Sequence, residues 1–141
     1  MTVLVVDDSE DDVFMMKMAC KNTGIPHALQ VVPDGAMAMD YLSGAPPYND
    51  RIVYPPPDIV FLDVNMPKRS GHEVLEWVRA QLQLKALPVV MLSSSISTED
   101  VYRASKAGIT SYLQKTSNFA EFEQIIKVVF DYQLGSESAT P

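Results

Sequence analysis

A strand-then-helix alternation repeated five times along the chain predicts an α/β domain with a parallel sheet and right-handed crossovers. Two further observations support that class. The strand candidates are short, continuous apolar runs without polar alternation, the pattern of strands covered on both faces. Several of these runs stop at polar residues, followed by stretches with helical apolar spacing. At 141 residues the chain fits one compact domain able to bury its own core.

The elements follow in order. Val3-Leu4-Val5-Val6 is the first strand. Ser9 is placed to cap the first helix, with Asp12 three residues on; Val13, Met16 and Cys20 then recur at i, i+3, i+7 up to a stop near Gly24. Leu29 to Val32 forms a second strand, and Asp34 to Leu42 a short helix turning Met37, Ala38 and Tyr41 inward. The stretch 43–57 carries Gly44, Pro46, Pro47, Asn49, Asp50 and Pro55-Pro56-Pro57, and reads as a surface insertion with polyproline character at its end, either a plain solvated loop or a partner contact. Ile59 to Leu62 is the third strand, ending at Asp63. Gly71 to Leu84 is read as one helix with Leu75, Val78 and Leu82 on its inner face. Val89 to Leu92 is the fourth strand, begun by Pro88 and followed by Ser93-Ser94-Ser95. A capping box at Ser97-Thr98-Glu99-Asp100 opens the fourth helix and Gly108 closes it. Ser111 to Leu113 is the fifth strand. Phe122, Ile125, Ile126 and Val129 stripe the fifth helix, and the tail 135–141 is expected to fray. One domain over 1–134 uses every element, leaving no attached output module.

Composition narrows the partners. Lys and Arg total 11 against 18 Asp and Glu, a formal charge of −7, and no basic run occurs, which argues against nucleic acid. Cys20 is the single cysteine, which excludes an internal disulfide and suits a reducing cytoplasm. Neither a signal peptide nor a membrane span is expected, because the apolar N-terminus meets Asp7 and Asp8 almost at once.

In open α/β sheets the working residues lie just past the carboxyl ends of the strands. Here those ends carry Asp7-Asp8, Asp63, Ser93 and, towards the fifth, Lys115. Carboxylates packed so closely repel, and a divalent cation removes that penalty. An all-oxygen donor set suits Mg²⁺, and no Cys or His stands nearby to favour zinc. A carboxylate also serves as a nucleophile towards phosphorus, with the metal and Lys115 neutralising the phosphoryl oxygens and Ser93 hydrogen-bonding one of them.

Val5-Val6-Asp7-Asp8-Ser9, Asp34-Gly35, Leu62-Asp63-Val64-Asn65-Met66-Pro67, Gly71, Ser93 and Lys115 together make the chain resemble the receiver domain of two-component response regulators, from roughly Val3 to Leu134. The resemblance implies a doubly wound, flavodoxin-like (βα)₅ three-layer sandwich with strand order 2-1-3-4-5. It implies Asp63 as phosphoacceptor, with Mg²⁺ held by Asp8 and Asp63, by Asp7 through water, and by the backbone carbonyl of Asn65. Ser93 and Lys115 would bind the phosphoryl oxygens, and Tyr112 would be the aromatic that swings inward with Ser93. The implied phosphodonors are a sensor histidine kinase, a phosphotransfer protein or a small acyl phosphate. The stand-alone length, the Leu-Asp-Val-Asn-Met-Pro-Lys wording and the long loop before the third strand look most like regulators paired with phytochrome-type kinases.

Such a domain is a switch and not a turnover enzyme. Its fourth helix, fifth strand and fifth helix would dock a partner or a second copy, with Phe119, Phe130 and Tyr132 partly exposed there. Two rivals fit less well. A haloacid-dehalogenase-like phosphatase would carry its Asp-x-Asp on the first strand, and here Asn65 replaces the second acid. A docking adaptor that is never phosphorylated would not need the full set of acids with Ser93 and Lys115. No G-x-G-x-x-G follows a strand to bind a dinucleotide.

Remaining acids and histidines read plainly. Glu10, Asp11 and Asp12 are helix N-terminal acids complementing the macrodipole. His27 and His72 read as surface or strand-end residues without a role, and Met15, Met16, Met18, Met37 and Met39 as adaptable packing. The family usually has proline after the lysine, through a cis bond, where this chain has Thr116. A cis bond before a non-proline costs about 2.5–4 kcal/mol, so Lys115–Thr116 is expected trans, with a re-routed loop.

Overall fold

The computed structural model describes residues 1–66 and 68–135, the side chains of 134 and 135 excepted. The motif proline Pro67 and the tail 136–141, expected to fray, therefore lie outside the described residues. The elements run β1 (Thr2–Val6), α1 (Glu10–Asn22), β2 (Ala28–Val32), α2 (Gly35–Ser43), β3 (Ile59–Asp63), α3 (Gly71–Ala80), β4 (Val89–Ser93), α4 (Thr98–Ala107), β5 (Ser111–Gln114) and α5 (Phe119–Phe130). The strands pair in parallel in the order β2-β1-β3-β4-β5, so the fold is the doubly wound, flavodoxin-like one.

Period-two alternation divides the strand side chains between two cores. Leu4, Val6, Val60, Leu62 and Met91 face one layer with Ala38, Tyr41, Val74, Leu75 and Ala104 of α2, α3 and α4. Val3, Val5, Ile59, Phe61, Val90 and Leu92 face the other, against Met16, Ala19 and Cys20 of α1 and Phe122, Ile126 and Phe130 of α5. That is why β1, β3 and β4 are apolar without interruption: both faces of the sheet are covered.

Each helix is started by a side chain that accepts a backbone N–H three residues on. Ser9, Asp34, Ser70, Ser97 and Asn118 bond the amides of Asp12, Met37, Glu73, Asp100 and Glu121. Gly44 and Gly108 close α2 and α4 in the left-handed region, at φ 73° and 92°.

Four expectations need correction. The third helix stops at Ala80, because Gln81 is extended (φ −86°, ψ 126°), and a 3₁₀ turn takes over at Leu82–Leu84. Arg79 fixes that turn by donating to the carbonyls of Leu84, Leu87 and Gly108, and Leu82 is left 80% exposed. The insertion 43–57 lies at the surface but is not wholly solvated. Tyr48 is buried, its ring 5.2 Å from Tyr41 and 5.1 Å from Tyr54. Arg51 donates to the carbonyls of Tyr41 and Tyr48 and lies over the Tyr41 ring. Phe130, expected partly exposed, is fully buried and stacked on Phe61 beneath the sheet. His72 is buried as well, in a bond described below. The only cis peptide among the described residues is Pro46–Pro47, so Lys115–Thr116 is trans. No described helix is long and apolar enough to cross a membrane.

Candidate functional site

The strand order reverses between β1 and β3, and the sequence-selected acids Asp7, Asp8 and Asp63 gather at the carboxyl ends of those two strands. Asp7 follows β1, its N–H donating to the Val32 carbonyl at 3.1 Å. Its Oδ1 accepts the Ser9 N–H at 2.9 Å, which turns the chain into α1. Asp63 is the last residue of β3, and its Oδ1 accepts the Asn65 N–H at 3.2 Å. Gly71 sits against this turn. A Cβ there would lie 2.6 Å from the Asp63 carbonyl oxygen and 2.9 Å from Val64 Cα, so a side chain has no room.

Lys115 arrives from the other side. Its N–H donates to the Ser93 carbonyl at 2.7 Å, carrying the β4–β5 ladder one residue past Gln114. The trans peptide after it does not remove the amine from the pocket. Nζ lies 3.1 Å from Asp7 Oδ2, 3.3 Å from Asp63 Oδ2 and 2.7 Å from Asp12 Oδ2. Asp12 was read as a helix acid only; its part in the site was missed. A capped first turn after β1 holds its N3 side chain near the strand ends, yet the same spacing serves an acid that only complements the helix dipole.

Asp7, Asp8 and Asp63 offer carboxylate oxygens that all lie within 4.8 Å of one another, Asp7 and Asp63 buried and Asp8 exposed. Three hard oxygen donors, one of them open to solvent, fit a hard divalent cation that keeps part of its water shell. Burial raises the Asp63 carboxyl above its ordinary value, Lys115 lowers it, and Asp7 raises it again. For Lys115 burial works against the ammonium, but the Asp12 bond and the charges of Asp63 and Asp7 outweigh it, and its pKa is raised. The amine stays charged. Asn65 is exposed and lines the open mouth with Asp8, Asp12, Asp63, Lys115 and Thr116.

Ser93 and Tyr112 are neighbours, and neither hydroxyl bonds an acid of the cluster. Ser93 is buried and its hydroxyl donates to the Ser95 carbonyl. The Tyr112 hydroxyl is buried too and has no hydrogen-bond partner among the described residues. Burial pushes its phenol up and the neighbouring Ser93 hydroxyl partly opposes that, although their geometry falls short of a bond. The ring packs against the α2–α3–α4 core. His72, at the start of α3, reaches Asp100 in the first turn of α4, with Nε2 3.1 Å from Oδ1. His27 Nδ1 pairs with the Ile25 carbonyl and its ring meets Phe130 edge-on, at the end of the sheet opposite the acids of the site.

An open parallel α/β domain with a carboxylate–lysine pocket at its topological switch point defines a class, the phosphorylation-dependent signalling switch. The chain belongs to the response regulator receiver domain family, whose profile matches residues 3–127. It is 30% identical over 132 residues to the response regulator Rcp1 of Synechocystis sp., covering 94% of this chain and 88% of that one. It also resembles the solved phosphorylated cyanobacterial phytochrome response regulator RcpA, at 32% identity and a TM-score of 0.88, covering 96% and 94% of the two chains. The Mn²⁺-bound form of Rcp1 matches at 30% identity and a TM-score of 0.85, with 94% of each chain covered.

Proposed function

We propose that Asp63 accepts the phosphoryl group of a two-component or phosphorelay pathway in a Mg²⁺-dependent reaction. The observation that carries this reading is the Lys115 ammonium 3.3 Å from Asp63 Oδ2, within a group of three carboxylates at the strand ends. Asp63 attacks phosphorus, an O–P bond forms, and the bond to the donor imidazole or acyl oxygen breaks. Mg²⁺ at Asp7, Asp8, Asp63 and the Asn65 carbonyl would supply charge neutralisation for the phosphoryl oxygens; the Mn²⁺-bound form of Rcp1 supports a divalent cation here. Lys115 neutralises one phosphoryl oxygen, and Ser93 turns from the Ser95 carbonyl to hydrogen-bond another.

The same reading gives the switch. Drawing Ser93 to the phosphoryl group changes the packing beside Tyr112 and shifts the α4–β5–α5 face, which docks a partner or a second copy. The domain over 1–134 would work in the cytoplasm. Similarity to RcpA and Rcp1 supports a phytochrome-type histidine kinase as phosphodonor. Incubation with acetyl phosphate and Mg²⁺ should add one phosphoryl group by intact-mass measurement, and Asp63→Ala should abolish it. No adduct on the unaltered protein, or an equal adduct on the variant, would sink the assignment.

A further inference from the structure

The shortest contact of the Lys115 ammonium is not to the proposed nucleophile or to the metal-type carboxylates but to Asp12, at 2.7 Å. Asp12 stands outside the group of three acids whose oxygens converge, so a cation held by that group leaves its carboxylate to the amine. Its backbone is pinned by the first-turn cap, the N–H donating to Ser9 Oγ at 3.3 Å. Its side chain sits at the rim of the mouth, 36% exposed, and Lys115 is 20% exposed.

An ammonium has three donors on a flexible four-carbon stem, and here three carboxylates surround it at 2.7, 3.1 and 3.3 Å. Two contacts, to Asp12 and Asp7, fix where the amine stands. The third and longest faces Asp63. We propose that Asp12 is a positioning residue for Lys115, holding the ammonium at the mouth so that it already faces the incoming phosphoryl group. The phosphoryl oxygen then meets an ordered cation, and the freedom of the lysine stem is not lost during the reaction. This role rests on the reading of Asp63 as phosphoacceptor.

Asp11 supplies the control, because it is exposed on the same turn and outside ion-pair distance of Lys115. Asp12→Asn and Asp11→Asn remove the same charge. With acetyl phosphate at saturation and Mg²⁺ present, Asp12→Asn should phosphorylate about 3–10-fold more slowly than Asp11→Asn, with the half-saturating donor concentration unchanged. Asp12→Glu should recover most of the rate. In a Lys115→Ala background, Asp12→Asn should add nothing further. A measurement that needs no phosphorylation is the nitrogen-15 order parameter of the Lys115 ammonium, which should fall in Asp12→Asn and hold in Asp11→Asn. Equal rates and equal order in the two Asn variants would overturn the proposal, as would an Asp12 effect of full size without Lys115. Failure of the Asp63 reading looks different: the unaltered protein takes no phosphoryl group while the ammonium order still depends on Asp12.

Discussion

Burial raises the Asp63 carboxyl above its ordinary 3.8, and Lys115 only partly offsets that. The fold therefore holds this proton more tightly than the unfolded chain does. Below the unfolded value both states are neutral and the site costs nothing; as pH rises through the raised folded value, the ionised carboxylate destabilises the fold. Near pH 7 and without divalent cation, Asp63→Asn should raise Tm by a few degrees, and the gain should vanish below about pH 4. Added Mg²⁺ should stabilise the unaltered protein and close that gap by mass action. Thermal melts against pH, with and without the cation, check both parts. The strand-end acids and Lys115 were legible as single residues because strand ends converge in this fold. Asp12 was not, because nothing in its spacing distinguishes a carboxylate that complements the helix dipole from one that also reaches across to β5.

At the scale of elements, strands and helix starts were read well and helix ends less so. Buried strands advertise themselves by unbroken apolar runs, and capping residues act through bonds three residues away, so both signals are local. Leu82 matched the helical period yet points outward, since the bend at Gln81 is fixed by Arg79 gripping carbonyls from the α3–β4 connection and the α4–β5 turn. The insertion before β3 misled for a related reason: Tyr48 and Tyr54 meet Tyr41 only when the loop folds back on α2. Tyr48→Ala should cost about 2–4 kcal/mol, by loss of a buried ring, in a denaturant titration. Its phosphorylation rate should be unchanged, because the loop joins the carboxyl end of α2 to the amino end of β3, at the end of the sheet away from Asp63.

Across the whole molecule, the sheet separates two helical layers, and the α4–β5–α5 face draws on both. Val128 stands 64% exposed on α5 beside Ser111 and Leu113 of β5, and Tyr132 is 75% exposed just beyond. Phe130 is taken up by the core, so a dimer contact there has to rest on these other side chains. Under conditions that phosphorylate Asp63, sedimentation velocity should show a faster species, and Val128→Glu should prevent it while leaving phosphorylation intact. A single unshifted boundary with and without phosphorylation would mean that this face serves a different partner.

The sequence by itself determined the alternation of elements, the two-sided burial of the sheet and the acids at its carboxyl edge, because each depends on periodicity or on strand ends that every doubly wound sheet brings together. Only the tertiary structure decided which contacts those residues make. Asp12 rather than Asp63 lies closest to Lys115, His72 is buried against Asp100, and Tyr48 is packed between two other tyrosines. Each of these depends on side chains from different elements meeting at a few ångströms. Such distances are set by how helices seat on the sheet, and no local pattern in the chain encodes them.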